Sequence, residues 1–217
     1  MRAYDTVLFD LDGTILDTNE LIIRSFIEAL QGYVDEDFNR DHIIPSMGAP
    51  LVDQMKRFSG LEDVEHLVVA YREVNLRLHD EYVKAFDYVL EVLERLHQEG
   101  MKIGVVTTKM RLTTDRGLDF VGITKYMDAV ITIDDVTNAK PHAEPVQKAL
   151  ALLGVGPEKA LMVGDSTVDI LSGNNAGVDT VAVAWSMKGE QVLKEAGAKY
   201  VIHDMRDLYA IVGLEIN

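Results

Sequence analysis

The sequence predicts an α/β protein: a doubly wound parallel sheet with a small helical domain inserted after its first strand. Short runs rich in β-branched residues recur along the 217-residue chain, helical patterns separate most of them, and one long interval carries no strand at all. Strand and helix alternating at this spacing imply parallel strands joined by helical crossovers. A 47% hydrophobic composition supplies the side chains for a full core.

Thr6 to Phe9 is the first strand, an apolar run too short for a helix. From about Leu16 to Phe86, about 70 residues pass without a convincing strand, too many for a loop. Thr18 is placed to cap a helix carrying Leu21, Ile22, Phe26, Ala29, Leu30 and Tyr33. A later helix carries the stripe Leu67, Tyr71, Val74, Leu78 and Tyr82. Residues 16–86 therefore read as a helical domain, and residues 1–15 with 87–217 as the sheet domain.

The alternation resumes with a helix from Tyr88 to Gln98, whose Val89, Val92, Leu93 and Leu96 share one face. Strands follow at Lys102 to Val106, Ala129 to Ile133, Ala160 to Val163, Thr180 to Ala184 and Tyr200 to Ile202. Between them lie helices at Leu112 to Val121, Glu144 to Leu153, Asp169 to Ala176 and Glu190 to Ala196. Gly100, Gly154, Gly177 and Gly197 fall just past helix ends, where a left-handed residue favours glycine.

With 36 acidic and 21 basic residues the net charge is −15, a field that repels nucleic-acid phosphates. The absence of cysteine excludes disulfides and thiolate chemistry and fits a reducing compartment. No apolar run approaches the roughly 18 residues of a membrane span, and MRAYD has no signal-peptide pattern, so a soluble cytoplasmic protein is expected. No His pair at i, i+4 suggests a zinc site.

The chemistry gathers at strand ends, where an open α/β sheet binds its ligands. Strand one runs into Asp10-Leu11-Asp12-Gly13-Thr14, and the second strand ends at Thr107-Thr108-Lys109. Lys140-Pro141 follows the third, and the fourth ends at Gly164-Asp165-Ser166 with Asp169 four residues past Asp165. Carboxylates so close repel one another unless a divalent cation neutralises them, and hard oxygen ligands suit Mg²⁺. A lysine and a hydroxyl beside that metal would bind phosphoryl oxygens, and an aspartate would attack phosphorus.

In these four ordered motifs the chain resembles the haloacid dehalogenase superfamily of phosphohydrolases. The resemblance implies that Asp10 is the nucleophile and a Mg²⁺ ligand. It makes Asp12 a ligand through its backbone carbonyl and the general acid and base. Thr107 and Lys140 would hold the phosphoryl group, Asp165 would ligate the metal, and Asp169 would support the metal's waters and Lys140. Residues 16–86 would be the family's mobile cap, and a small phosphorylated molecule the substrate; the oligomeric state is left open. Thr108, Lys109 and Gly48 are further candidates for contacting substrate.

Met47-Gly48-Ala49-Pro50-Leu51 and Gly173-Asn174-Asn175-Ala176-Gly177-Val178 resemble the phosphoglycolate phosphatase branch, while Ala184-Trp185-Ser186-Met187-Lys188-Gly189 looks more like a bacterial pyrophosphatase within it. Ala143 stands where that branch has a second proline, a change expected to loosen the lysine loop, and Thr108 stands where asparagine is common. A sugar phosphomutase of the same superfamily is the alternative, but its cap-helix histidine corresponds here to Ile22. A receiver-type phospho-aspartate module is a further alternative, disfavoured by Asp10 and Asp12 on the first strand and by the insertion. Because the protein is so acidic, basic residues of the insertion, among them Arg24, Lys56, Arg57, Arg72 and Arg77, are expected to form a positive mouth for an anionic substrate.

Overall fold

A computed structural model describes residues 3–215; the extreme ends of the expected sheet domain, residues 1–2 and 216–217, lie outside them. Six parallel strands form the main sheet in the order β5-β4-β1-β6-β7-β8. They are β1 (Thr6–Phe9), β4 (Lys102–Val106), β5 (Ala129–Ile131), β6 (Ala160–Gly164), β7 (Asp179–Val183) and β8 (Tyr200–Ile202). β1 is central, Phe9 pairing with Val105 on one side and Val163 on the other.

Alternate strand residues feed two cores. Val7, Phe9, Ile103 and Val105 pack with α5 (Val89–Gln98) and α10 (Leu208–Val212), while Leu8, Val106 and Met162 pack with α7 (Glu144–Leu153). α6 (Arg111–Phe120), α8 (Thr167–Ala176) and α9 (Glu190–Glu195) complete the crossovers. With helices on both faces most strand positions are buried, which is why the strands read as largely apolar runs. The expected third strand ends two residues early. Thr132 caps a short turn at Ile133–Asp135, its backbone N–H and hydroxyl both donating to the Asp135 carboxylate.

Four helices lie between β1 and α5: α1 (Asn19–Ala29), α2 (Arg40–Ile43), α3 (Leu51–Ser59) and α4 (Glu65–Tyr82). They enclose their own apolar cluster of Phe26, Leu30, Ile43, Met55, Leu67 and neighbours, with Phe26 set between the rings of Phe58 and Tyr71. Leu21 packs instead into the sheet core, and Tyr33 is 47% exposed rather than part of the stripe. Thr18 occupies the N-cap position of α1 without making a side-chain cap bond.

The interval also holds strands that the pattern could not reveal: β2 (Leu16–Asp17) and β3 (Lys84–Ala85) pair antiparallel where the chain leaves the sheet region and returns. Two residues are too few for any alternation. A second tie joins α4 to α6, because Arg116 donates to the Leu76 carbonyl and the Asp80 carboxylate. No helix among the described residues is long and apolar enough to cross a membrane.

Candidate functional site

The C-terminal ends of β1, β4 and β6 place their loops side by side. The Asp10 N–H donates to the Val163 carbonyl, prolonging the ladder by one residue, and the chain then folds back as the N–H groups of Ile15 and Leu16 donate to the Leu11 carbonyl. Gly13 turns this loop at φ 84°, and a Cβ there would lie 2.4 Å from an Asp165 carboxylate oxygen. Only glycine lets the two acidic loops approach so closely.

Lys140 is buried at the centre. Its ammonium donates to Asp10 Oδ1 at 2.6 Å, Asp169 Oδ1 at 2.5 Å and the Val106 carbonyl at 2.9 Å, using all three protons. Burial alone would lower its affinity for a proton, but the charges of Asp10 and Asp169 outweigh that and hold the ammonium above its ordinary range. Asp169 is oriented from its other side by the Ser166 N–H, as half of a capping box that starts α8. Glycine at 164 again makes room, since a Cβ there would sit 2.3 Å from that of Asp169.

The loop carrying Lys140 is firmly held despite Ala143. The N–H groups of Thr137 and Asn138 donate to the Glu144 carboxylate and, together with the Lys148 ammonium, draw its carboxyl down to about 2. Asn175 donates to the Pro141 carbonyl and Ser172 to that of His142. The looseness expected from the missing proline is therefore offset by ties from α8.

Burial raises the Asp10 carboxyl well above its usual range against the pull of Lys140, and pushes Asp165 up to about 7 with help from the charge of Asp169. Carboxylate oxygens of Asp10, Asp165 and Asp169 all lie within 4.8 Å of one another. This is the chemistry of a set short of positive charge, and its hard oxygen donors fit a small divalent cation. Asp12 stands apart from that cluster, its two oxygens each 3.0 Å from the Lys109 ammonium. Thr107 Oγ1 accepts from the Lys109 N–H, leaving the hydroxyl proton available to another acceptor.

A cavity of about 190 Å³ opens over Asp10, Asp12, Asp165 and Thr107, roofed by residues of α1, α3 and α4 and the Met47–Pro50 loop. Gly48 and Thr108, both expected to contact substrate, meet across it, the Thr108 hydroxyl donating to the Gly48 carbonyl at 3.0 Å. Two groups escaped the sequence reading. Lys188 donates to Ser166 Oγ at 2.7 Å and to the Met47 carbonyl, linking the loop after β7 to the helical segment. Ser186 donates to the Asp165 carbonyl, fixing that loop's backbone. Both sit in the Ala184–Gly189 segment singled out only by its resemblance; no periodicity marks them.

The family model for haloacid dehalogenase-like hydrolases matches residues 7–183. Over 208 residues the chain is 45% identical to pyrophosphatase PpaX of Bacillus mycoides, covering 96% of each protein, and equally so to its counterpart in Oceanobacillus iheyensis. A solved structure of a hydrolase from Pseudomonas syringae superposes with a TM-score of 0.84 at 24% identity, covering 95% of this chain and 96% of that one; it supports the fold.

Proposed function

The chain belongs to the haloacid dehalogenase-like hydrolases and is a phosphohydrolase; from that premise we propose that it is a Mg²⁺-dependent inorganic pyrophosphatase working through a phosphoaspartate on Asp10, with phosphoglycolate as the runner-up substrate. The observation that carries the reading is the Asp10–Lys140–Asp169 chain of buried charges beside Asp165, under a small roofed cavity. The names of the PpaX relatives, at 45% identity, support pyrophosphate as substrate.

Asp10 is the nucleophile: one carboxylate oxygen bonds to phosphorus as the bond to the leaving oxygen breaks. Lys140 favours the ionised form of that carboxylate against its burial and steadies the charge of the transferred group. Thr107 donates its free hydroxyl proton to a phosphoryl oxygen. Asp12, held by Lys109 at the cavity floor, gives a proton to the leaving group and later takes one from the water that cleaves the phosphoaspartate. Asp10, the Asp12 backbone carbonyl and Asp165 would hold Mg²⁺, with Asp169 positioning Lys140 and the metal's waters. Once bound, the ion offsets the carboxylate charge and polarises a phosphoryl oxygen. Residues 16–86 act as the cap that closes over substrate.

Initial rates with pyrophosphate, phosphoglycolate and sugar phosphates test this reading. Pyrophosphate hydrolysis should require Mg²⁺, vanish on chelation and be inhibited by Ca²⁺, which takes more ligands and spoils in-line geometry. Undiminished rates after exhaustive chelation would sink the assignment. Ile22, which stands at the position of a phosphomutase's cap-helix histidine, lines the cavity, so interconversion of sugar phosphates is not expected.

Asp12→Asn provides a sharper check on the acid. An alkoxide leaving group, as in phosphoglycolate, needs a positioned proton worth ~10²- to 10⁴-fold, whereas phosphate leaving from pyrophosphate needs far less. Single-turnover measurements should show the first step lost much more with phosphoglycolate, and phosphoenzyme accumulating when pyrophosphate is the donor. Equal loss with both and no trapped phosphoenzyme would make Asp12 structural.

A further inference from the structure

Of the five basic residues expected at the mouth, one faces the cavity. Arg24 pairs with Glu20, Lys56 with Glu62 and Arg77 with Glu28 on the exterior, and Arg57 is exposed and does not line the cavity. Arg72, on α4, lines the cavity beside Tyr71 and Asn75. It has no ion-pair partner among the described residues, and its buried Nε has no hydrogen-bond partner. A guanidinium so placed, in a chain with 36 acidic residues, is uncommitted cationic capacity at the wall of the cavity.

The other polar groups of the roof are already engaged. Gln54 donates to the Ala49 carbonyl and accepts from Ser46, and Asn75 donates to Ser25. Thr108 is spent on Gly48, and Lys109 on Asp12. Thr113 donates to the Met110 carbonyl and the Tyr71 hydroxyl is hydrogen-bonded to Asn75, and much of the rest of the wall is apolar, including Ile22, Phe26, Leu51, Val52 and Met110. A sugar leaving group brought against this surface would lose its hydroxyls' hydrogen bonds to water without replacement. A compact leaving group bearing its own negative charge would find one matched partner.

We propose that Arg72 is the specificity-determining residue of this site, binding the anionic group on the far side of the scissile phosphorus. The substrates it selects are compact phosphorylated anions, whether a second phosphate or a short carboxylate, and it selects against uncharged and polyol leaving groups. The inference rests on the phosphohydrolase reading above and narrows its substrate class.

The test compares pyrophosphate and phosphoglycolate with p-nitrophenyl phosphate, whose leaving group carries no second anion, in the wild type, Arg72→Met and Arg72→Lys. Charged hydrogen bonds of this kind are worth ~10- to 10²-fold. Arg72→Met should lower kcat/KM by that factor for both anionic substrates and by less than ~3-fold for p-nitrophenyl phosphate, with Arg72→Lys recovering part of the loss. Competitive inhibition by methylenediphosphonate should weaken by the same factor, while inhibition by orthophosphate stays put. Equal losses on all three substrates, or none on any, would overturn the proposal. If the wild type cleaves phosphoglycolate but not pyrophosphate, and only that rate falls in Arg72→Met, then Arg72 keeps its role and the pyrophosphatase reading goes. Cleavage of neither anionic substrate would overturn both.

Discussion

Asp10→Asn is expected to abolish turnover with every phosphate donor while leaving the fold in place. The amide is nearly isosteric, keeps an oxygen that can accept from Lys140, and cannot form a stable bond to phosphorus. The wild-type carboxylate is costly to bury, as its raised proton affinity reports, so a neutral side chain costs the fold little. Circular dichroism and the melting temperature should match wild type within a few degrees, and no phosphoenzyme should be trapped. Turnover above a few per cent of wild type, in a preparation free of contaminating phosphatase, would refute Asp10 as nucleophile.

Lys140→Met should damage both activity and stability. Methionine fills the volume but removes the only cation among the described residues bonded to Asp10 and Asp169, and stranding buried charge in this way costs ~3–5 kcal/mol. The cost should depend on pH in a definite direction. In the folded chain Asp165 keeps its proton to about pH 7 and Asp10 is raised as well, whereas unfolded carboxyls titrate at ordinary values. Between those limits the native state binds more protons than the unfolded one, so without a divalent cation stability falls as pH rises. Lys140 lowers both groups' proton affinity, so its loss extends the window upward. Urea midpoints in the presence of chelator should show a deficit that is small near pH 5 and grows toward pH 8; a deficit independent of pH would mean the damage is packing rather than charge.

The six parallel strands could be read from the residues because most of their positions are buried and apolar; β1, β4 and β8 match the expected bounds. The pair Leu16–Asp17 and Lys84–Ala85 could not, since a two-residue strand has no period and its pairing depends on where the intervening helices return the chain. At the site, Asp10, Lys140, Asp165 and Asp169 stood out because their spacing placed all four at strand ends or just beyond. Lys188 and Arg72 lay beyond such reasoning. Their significance comes from what surrounds them, a Met47 carbonyl from a distant loop in one case and the lack of a counter-ion among the described residues in the other. Charge counting alone put Arg72 on a par with Arg24, Lys56, Arg57 and Arg77, three of which are neutralised by a neighbouring glutamate.

Because the chain departs through Leu16–Asp17 and re-enters through Lys84–Ala85, hydrogen-bonded side by side, everything between them is a cassette whose covalent entry and exit lie at one place, its other hydrogen-bonded ties described above running through the side chains of Arg116, Thr108 and Lys188. Its helices can be lengthened, shuffled or exchanged for those of a relative without cutting a strand of the main sheet or altering the order in which the sheet is wound. Selection can then revise what the enzyme accepts while the residues that break the phosphorus–oxygen bond are inherited unchanged. A graft made at these two dipeptides should transfer preference for substrate between lineages, with the chemistry travelling separately from the choice of what undergoes it.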